Sequence, residues 1–519
     1  MIQGVQTTWF SRLLDHPRGF YSLCVIELLG RFAFYMLVGA LLMYAKDTLG
    51  GGLALSKVEA SHIYGAYLAL VFFTPVFGGV LATRWLGLRF AILAGGVLFA
   101  IGLVLMGVRD VAYFYLGLGL LCVANGLSRP SVSMLVGNLY PEKDQRRDPG
   151  FNILFFFVNL GALIGFLTAG AVRNLLNWQW VFWCAAIAIV ISLIVFVANW
   201  TTLNPGEVRH PPDPKLRGAL TQLNAKLLLP AAAFAAIGYF LSGRVSHWPL
   251  PRIETAVVFG MAPLIVFFVT LPWRVSAEER PRVHALLMVF LAATTFFAVL
   301  HMHGSALTIW ADERTDRQVS WVPYIWTRDA ELGYFANSPE QAPQTGEMPK
   351  IVVPELYQSW NPFWVIVLTP IVMAFFRKRE LSGTGISTAK KMLYGLLLTA
   401  ISMLIMELAA GMYELHQARV SGLWLVGMYC IITLGEICLS PMGQSIVTRL
   451  APARLAGILM GGWFCAMAIG NELSGLLGAV QTSVPPWLFF LALTLAVGAV
   501  ATLFWKFLPE LDQKESVHS

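Results

Sequence analysis

The sequence predicts an all-α integral membrane protein with about fourteen spans. Of its 519 residues, 57% are hydrophobic and only 13% charged, against about 25% charged in a soluble domain. Apolar runs of about 20 residues, the length that crosses a bilayer, recur from one end of the chain to the other. The basic residues also collect in alternate short loops, the bias that sets orientation in a cytoplasmic membrane. That bias accounts for the net charge of +7 without a nucleic-acid partner. A chain of this size and polarity has room for one or two helical bundles, and composition excludes a soluble multidomain enzyme.

The first apolar run, Phe20 to Tyr44, is too long for the core of a cleavable signal and reads as a retained helix at 18–45. Spans follow at 57–83, 88–108, 112–139, 150–173 and 177–200. The stretch 202–226 is polar, contains Pro205, Pro211, Pro212 and Pro214, and reads as a cytoplasmic linker. A further pair follows at 227–243 and 254–273; the first is short and the second carries Pro263. The last six spans are 283–311, 361–376, 391–412, 422–448, 455–481 and 485–509.

Between 283–311 and 361–376 lies the longest polar insertion, 312–360, with Trp321, Tyr324, Trp326 and Tyr334. A loop of this length is either a small lid or a loose segment. Loops carrying Arg89, Arg146, Arg147, Arg274, Arg280, Arg282, Arg377, Lys378 and Arg379 fall on one side. That places both termini in the cytoplasm of a plasma (inner) membrane and the insertion outside. The chain then divides into 1–201, 202–282 and 283–519.

Few ionisable residues lie deep in these spans: Glu27, Arg31, Arg129, His301, His303, Glu407, Glu436 and Glu472. Each charge at a bilayer centre costs about 2.5–3.5 kcal/mol on insertion scales. Glu27 and Arg31 are four residues apart and share a helix face, where they can pair. The pair either fixes helix packing or lines a polar cavity, and a polar cavity inside a bundle suggests transport. Glu407 and Glu472 fall near span ends and are expected at the interface. His301 and His303 are either hydrogen-bonded core residues or part of a proton relay. Asn159 and Asn361 can join helices or hold a ligand. Breakers recur within spans at Pro75, Pro130, Pro370 and Pro441, where backbone lines a cavity or packs closely. The six cysteines lie in apolar segments without metal-ligand spacing. No nucleophile–base pair, phosphate loop or metal cluster is legible, so neither an enzyme nor a cofactor is expected.

Several ordered motifs resemble the proton-dependent oligopeptide transporter family of the major facilitator superfamily, over about 20–505. The first is Glu27-Leu-Leu-Gly30-Arg31-Phe32-Ala-Phe34-Tyr35, followed by Thr74-Pro75-x-Phe-Gly78-Gly79 and Gly126-Leu-Ser-Arg129-Pro130. Next come Gly137-Asn138-Leu-Tyr140-Pro141, Arg146-Arg147-Asp148-x-Gly150-Phe151 and Val158-Asn159-Leu160-Gly161. Late motifs are Gln358-Ser359-Trp-Asn361-Pro362, Leu434-Gly435-Glu436-x-Cys438-Leu-Ser440-Pro441 and Met460-Gly461-x-Trp463-Phe464.

The resemblance implies a major facilitator fold: two six-helix bundles around a central site, with an extra helix pair between them. It implies that a peptide carboxylate meets Arg31 and Arg129, that its amine meets Asn159, Asn361 and Glu436, and that Tyr35 and Trp463 complete the site. Proton coupling would fall to Glu27 and His301. The chain departs from the family pattern where Gly30 replaces an acid, Arg129 a lysine and His301 an acid or glutamine. Phe34, Phe72 and Phe155 lack tyrosine hydroxyls, and Thr83 replaces the aspartate of a latch built on Arg84. Arginine holds a carboxylate but is a poor proton carrier. The expectation is therefore proton-coupled uptake of peptides or peptide-like zwitterions with altered specificity. The rivals are a facilitator or symporter of another small anionic or zwitterionic metabolite, and a non-transporting sensor.

Overall fold

A computed structural model describes the chain except residues 1–15, 49, 142–143, 145, 208–228, 246–247, 249, 319–320, 331–333, 335–347, 453–454 and 517–519. Helix α1 spans Phe20–Lys46, α2 Lys57–Phe73, α3 Pro75–Leu81, α4 Leu88–Met106, α5 Val111–Asn138, α6 Arg147–Leu175 and α7 Trp178–Ala198. The short helix α8 is Leu229–Ser242. It is followed by α9 Arg252–Thr270, α10 Arg280–Leu300, α11 Ala306–Glu313, α12 Trp360–Leu381, α13 Thr388–His416, α14 Leu423–Leu450, α15 Ala456–Val480 and α16 Pro486–Ser516.

Local chemistry explains where these helices start and break. Ser56 and Glu59 cap each other at the start of α2 in a reciprocal box. Asp110, Asn177 and Ser387 cap α5, α7 and α13. Glu207 accepts from the first amides of α4, Leu88 N at 2.8 Å and Arg89 N at 2.9 Å, where the helix dipole favours an anion. Arg89 also donates to the Trp200 carbonyl and to Asn204, so the first residues of the predicted linker are fastened down. The rest of that linker, 208–226, lies outside the described residues.

Among the described residues 13 helices are long and apolar enough to span, one fewer than predicted. The predicted span 227–243 is represented by α8. At about 1.5 Å per residue, the described part of α8 is shorter than the roughly 30 Å hydrocarbon core. The predicted span 283–311 is also interrupted: α10 ends in a tight turn, His301–Gly304, before α11 resumes. Tyr64 of α2 drives into this turn, and a Cβ on Gly304 would lie 2.2 Å from its hydroxyl.

Helices α1–α7 pack as one group and α10–α16 as another. The groups meet where α2 lies along α15 and α6 along α12. At the α2–α15 crossing backbone touches backbone: a Cβ on Gly65 would lie 2.7 Å from Gly475 Cα. Helix α9 packs on both α2 and α15, covering their seam.

Contacts between the groups concentrate at the end bearing the insertion. Lys46 pairs with Asp312 at 2.5 Å, Lys57 with Glu313, and Arg173 with Glu355 at 2.6 Å. The described part of the insertion is a folded cap. Strands Thr327–Asp329 and Lys350–Val352 pair antiparallel, and Thr315–Asp316 pairs in parallel with Val420–Ser421. Trp326 donates to the Leu167 carbonyl, and Asn174 to the carbonyls of Ile325 and Thr327, tying the cap to α6.

Candidate functional site

The polar groups are placed by close backbone packing. On α1, Arg31 Nε donates to Glu27 Oε2 at 3.0 Å, one helical turn away. Glycines of α6 press α1 into position. A Cβ on Gly161 would lie 2.4 Å from the Leu28 carbonyl oxygen, and one on Gly165 2.6 Å from that of Phe32. On α5, Pro130 has no N–H, so the Gly126 carbonyl loses its helical donor. Gly78 of α3 packs on that oxygen, which a Cβ would approach to 1.8 Å. Thr74, at the junction of α2 and α3, donates to the Cys122 carbonyl at 2.8 Å. These contacts fix the stretch of α5 that carries Arg129.

Arg129 forms no ion pair among the described residues. Its guanidinium lies 4.7 Å from the Phe72 ring centroid and 5.8 Å from that of Phe34. Glu27, Arg31 and Arg129 share a cavity of about 80 Å³, roomy enough for a few waters. Gly30, Asn125 and Ser128 continue its polar side, and Ile92, Phe99, Ile189, Leu193 and Phe196 form an apolar wall. A Cβ on Gly30 would meet nothing within 4 Å, so the missing acid leaves open space. Of the latch, Thr83 donates to the Gly79 carbonyl of its own helix, and the Arg84 side chain lies outside the described residues.

A second polar group lies in the other half. Asn361, at the start of α12, donates to Glu436 Oε2 at 2.9 Å and Thr433 Oγ1 at 3.1 Å, joining α12 to α14. His301 belongs to the same half as this pair and reaches the ring beside Arg129. Its ring stacks on Phe297 at 5.7 Å and meets Phe72, the ring beneath Arg129, edge-on at 5.5 Å. Its Nδ1 is 3.2 Å from the Phe297 carbonyl, which only accepts, so Nδ1 carries the proton. His303 donates likewise to Leu300 and lies 3.5 Å from the Tyr64 hydroxyl.

The structure thus gathers Glu27, Arg31 and Arg129 in one cavity, and Asn361 and Glu436 in a bonded pair. Tyr35 is half-buried between Phe34 and Phe166. Asn159 is engaged with the Phe155 carbonyl of its own helix and bonds to neither group. Trp463 is fully buried. Its ring covers Gly443 and meets Phe297 edge-on, so it supports the platform under His301 from behind.

The expectation that Glu472 sits at the interface is corrected: its helix spans the residues predicted, but α2 covers it and Glu472 is 2% exposed. Glu407 is half-buried well inside α13. Sequence reasoning missed two buried ionisable residues, His62 and Glu254, whose Nδ1 and Oε1 lie 2.7 Å apart. His62 falls only five residues inside its predicted span and Glu254 on the first residue of its own, so both read as boundary residues.

The model of the POT family matches residues 89–322 and 346–486. A di-/tripeptide transporter of Lactococcus lactis subsp. cremoris is 29% identical over 493 residues, covering 93% of each chain. Among solved structures, a peptide transporter POT in complex with sulfate superposes with a TM-score of 0.81 at 27% identity, covering 98% of this chain and 97% of that one. A POT family transporter in complex with 5-aminolevulinic acid gives 0.80 at 25% identity and 98% coverage of both. With two bundles, motif glycines at helix contacts within the first of them and a family match over most of its length, the chain belongs to the POT family.

Proposed function

We propose that this chain couples protons to the uptake of peptides or peptide-like zwitterions by alternating access. As a POT family member it is a multi-pass membrane transporter and not an enzyme. The observation that carries the reading is the arrangement around Arg129: two guanidiniums and a single carboxylate share one cavity. A substrate carboxylate supplies the missing anion to Arg129 and Arg31. Its amine is met by Glu436, which Asn361 orients, with Asn159 and Tyr35 along the path and Trp463 behind. Opposed fixed charges replace the water that a zwitterion gives up.

When the substrate takes Arg31, Glu27 loses its partner and takes a proton; His301 is the second titrating group. The halves 1–201 and 283–519 rock against each other, with 202–282 between them. Both termini face the cytoplasm of the inner membrane, so the insertion end, where ion pairs of Lys46, Lys57 and Arg173 join the halves, is the outer one. The relatives named as di-/tripeptide transporters support the solute class.

Thermal unfolding of the purified protein across a peptide library tests the reading. Free dipeptides are expected to stabilise it, C-terminally amidated ones to do so less, and Arg129→Ala to abolish the effect. Equal stabilisation by free and amidated peptides would contradict the role given to Arg129.

A further inference from the structure

The seam between α2, α15 and α9 holds a cluster that the substrate site does not use. Glu472 is 2% exposed, and neither carboxylate oxygen has a hydrogen-bond partner. Its neighbour Asn471 is wholly buried with both amide atoms unpartnered, as is the hydroxyl of Ser61 across the seam. Glu254 of α9, also 2% exposed, faces His62 of α2, with its Oε1 2.7 Å from Nδ1. The helices around Glu472 touch through backbone: a Cβ on Gly65 would lie 3.0 Å from the Glu472 carbonyl oxygen, and one on Gly475 2.7 Å from the Ser61 carbonyl oxygen.

Two carboxylates and one imidazole are therefore buried between helices with no lysine or arginine paired to them among the described residues. Helix α5 contributes Tyr115, near Glu254. The 301–304 turn contributes His303, which faces Tyr64 of α2. Glu59 lies at the wet start of α2, in its capping box. None supplies a fixed positive charge. A carboxylate buried without a cation or a donor is too costly to persist, and it neutralises by taking a proton.

We propose that Glu472, with Glu254 and His62 beside it, is a proton-binding site of the insertion-end gate, whose protonated form holds that end closed. Helix α2 belongs to one half and α15 to the other, so opening the gate parts the Gly65–Gly475 crossing and admits water to Glu472. The carboxylic acid then gives its proton to that water and becomes a solvated carboxylate. By linkage, protonation favours the closed gate, and the closed-to-open ratio falls by up to about tenfold per pH unit for one proton. The site is separate from Glu27, Arg31 and Arg129, and α9 gains a role as the wall that keeps it dry.

The test uses the full chain in lipid nanodiscs without solute, with its native cysteines replaced and spin labels at Val58 and Val480. These positions are exposed, at the start of α2 and the end of α15. Between pH 5 and 9 the long-distance, open population is expected to grow as pH rises. Glu472→Gln should hold the short distance at every pH. Glu254→Gln removes the neighbouring acid and should move the transition to lower pH, which keeps a reading if Glu472→Gln does not fold. A wild-type distance that ignores pH, or an unchanged profile in either folded variant, overturns the proposal. No solute is present, so the outcome is independent of what the protein carries.

Discussion

Arg129 is a cation beside two aromatic rings with no acid paired to it among the described residues, which makes it the proposed place for an incoming carboxylate. Arg129→Ala removes a charge-assisted contact of about 1.5–3 kcal/mol. Peptide affinity is expected to fall by roughly 10- to 150-fold, read by titration calorimetry, while Arg129→Lys keeps part of it. Two glycines give opposite expectations on thermal unfolding. Gly30 faces open space, so Gly30→Ala should change stability by less than about 1 kcal/mol. Gly161 lies against the Leu28 carbonyl, so Gly161→Ala should cost about 1–3 kcal/mol through overpacking. At this scale the sequence carried the Glu27–Arg31 pair, because spacing alone puts i and i+4 on one face. It did not carry the burial of Glu472. Whether a residue near a helix end meets water depends on the neighbouring helix, and neither period nor composition of α15 records that α2 lies over it.

At the scale of elements, the apolar runs were legible because hydrocarbon thickness imposes a length on them. The break at His301–Gly304 was not, since Tyr64 of the other half holds it in place from 237 residues or more away in the chain. The cap was equally silent: its two short sheets and its bonds to α6 follow no hydrophobic repeat. Those bonds have a cost when broken. Glu355 is buried at 1% side-chain exposure and Arg173 at 11%, so Glu355→Gln leaves a largely buried guanidinium facing a neutral amide and the Trp178 ring, 4.3 Å away, with no counter-charge from residue 355. A loss of roughly 1–3 kcal/mol is expected at the closed end. Faster hydrogen exchange in 348–359 is the measurement, and protection unchanged from wild type would show that the pair does not hold the gate.

At the scale of the whole molecule, closing at one end is what makes two half-sites into a transporter. Gly65 and Gly475 let the halves touch by backbone, and the ion pairs of Lys46, Lys57 and Arg173 join the halves at the insertion end. Arg129, Phe72 and His301 form a line of contacts from one half to the other, the route by which the proposed carboxylate at Arg129 would act on the opposite bundle. Glu27→Gln should leave peptide binding and exchange intact while removing accumulation against a gradient. Counterflow and gradient-driven uptake in the same vesicles separate the two.

The most direct measurement is uptake of a labelled dipeptide by proteoliposomes with and without an imposed proton gradient. Accumulation above the outside concentration is expected only when the exterior is acid, and it should collapse on adding a protonophore. Entry at the same rate and to the same level with no gradient would contradict proton coupling.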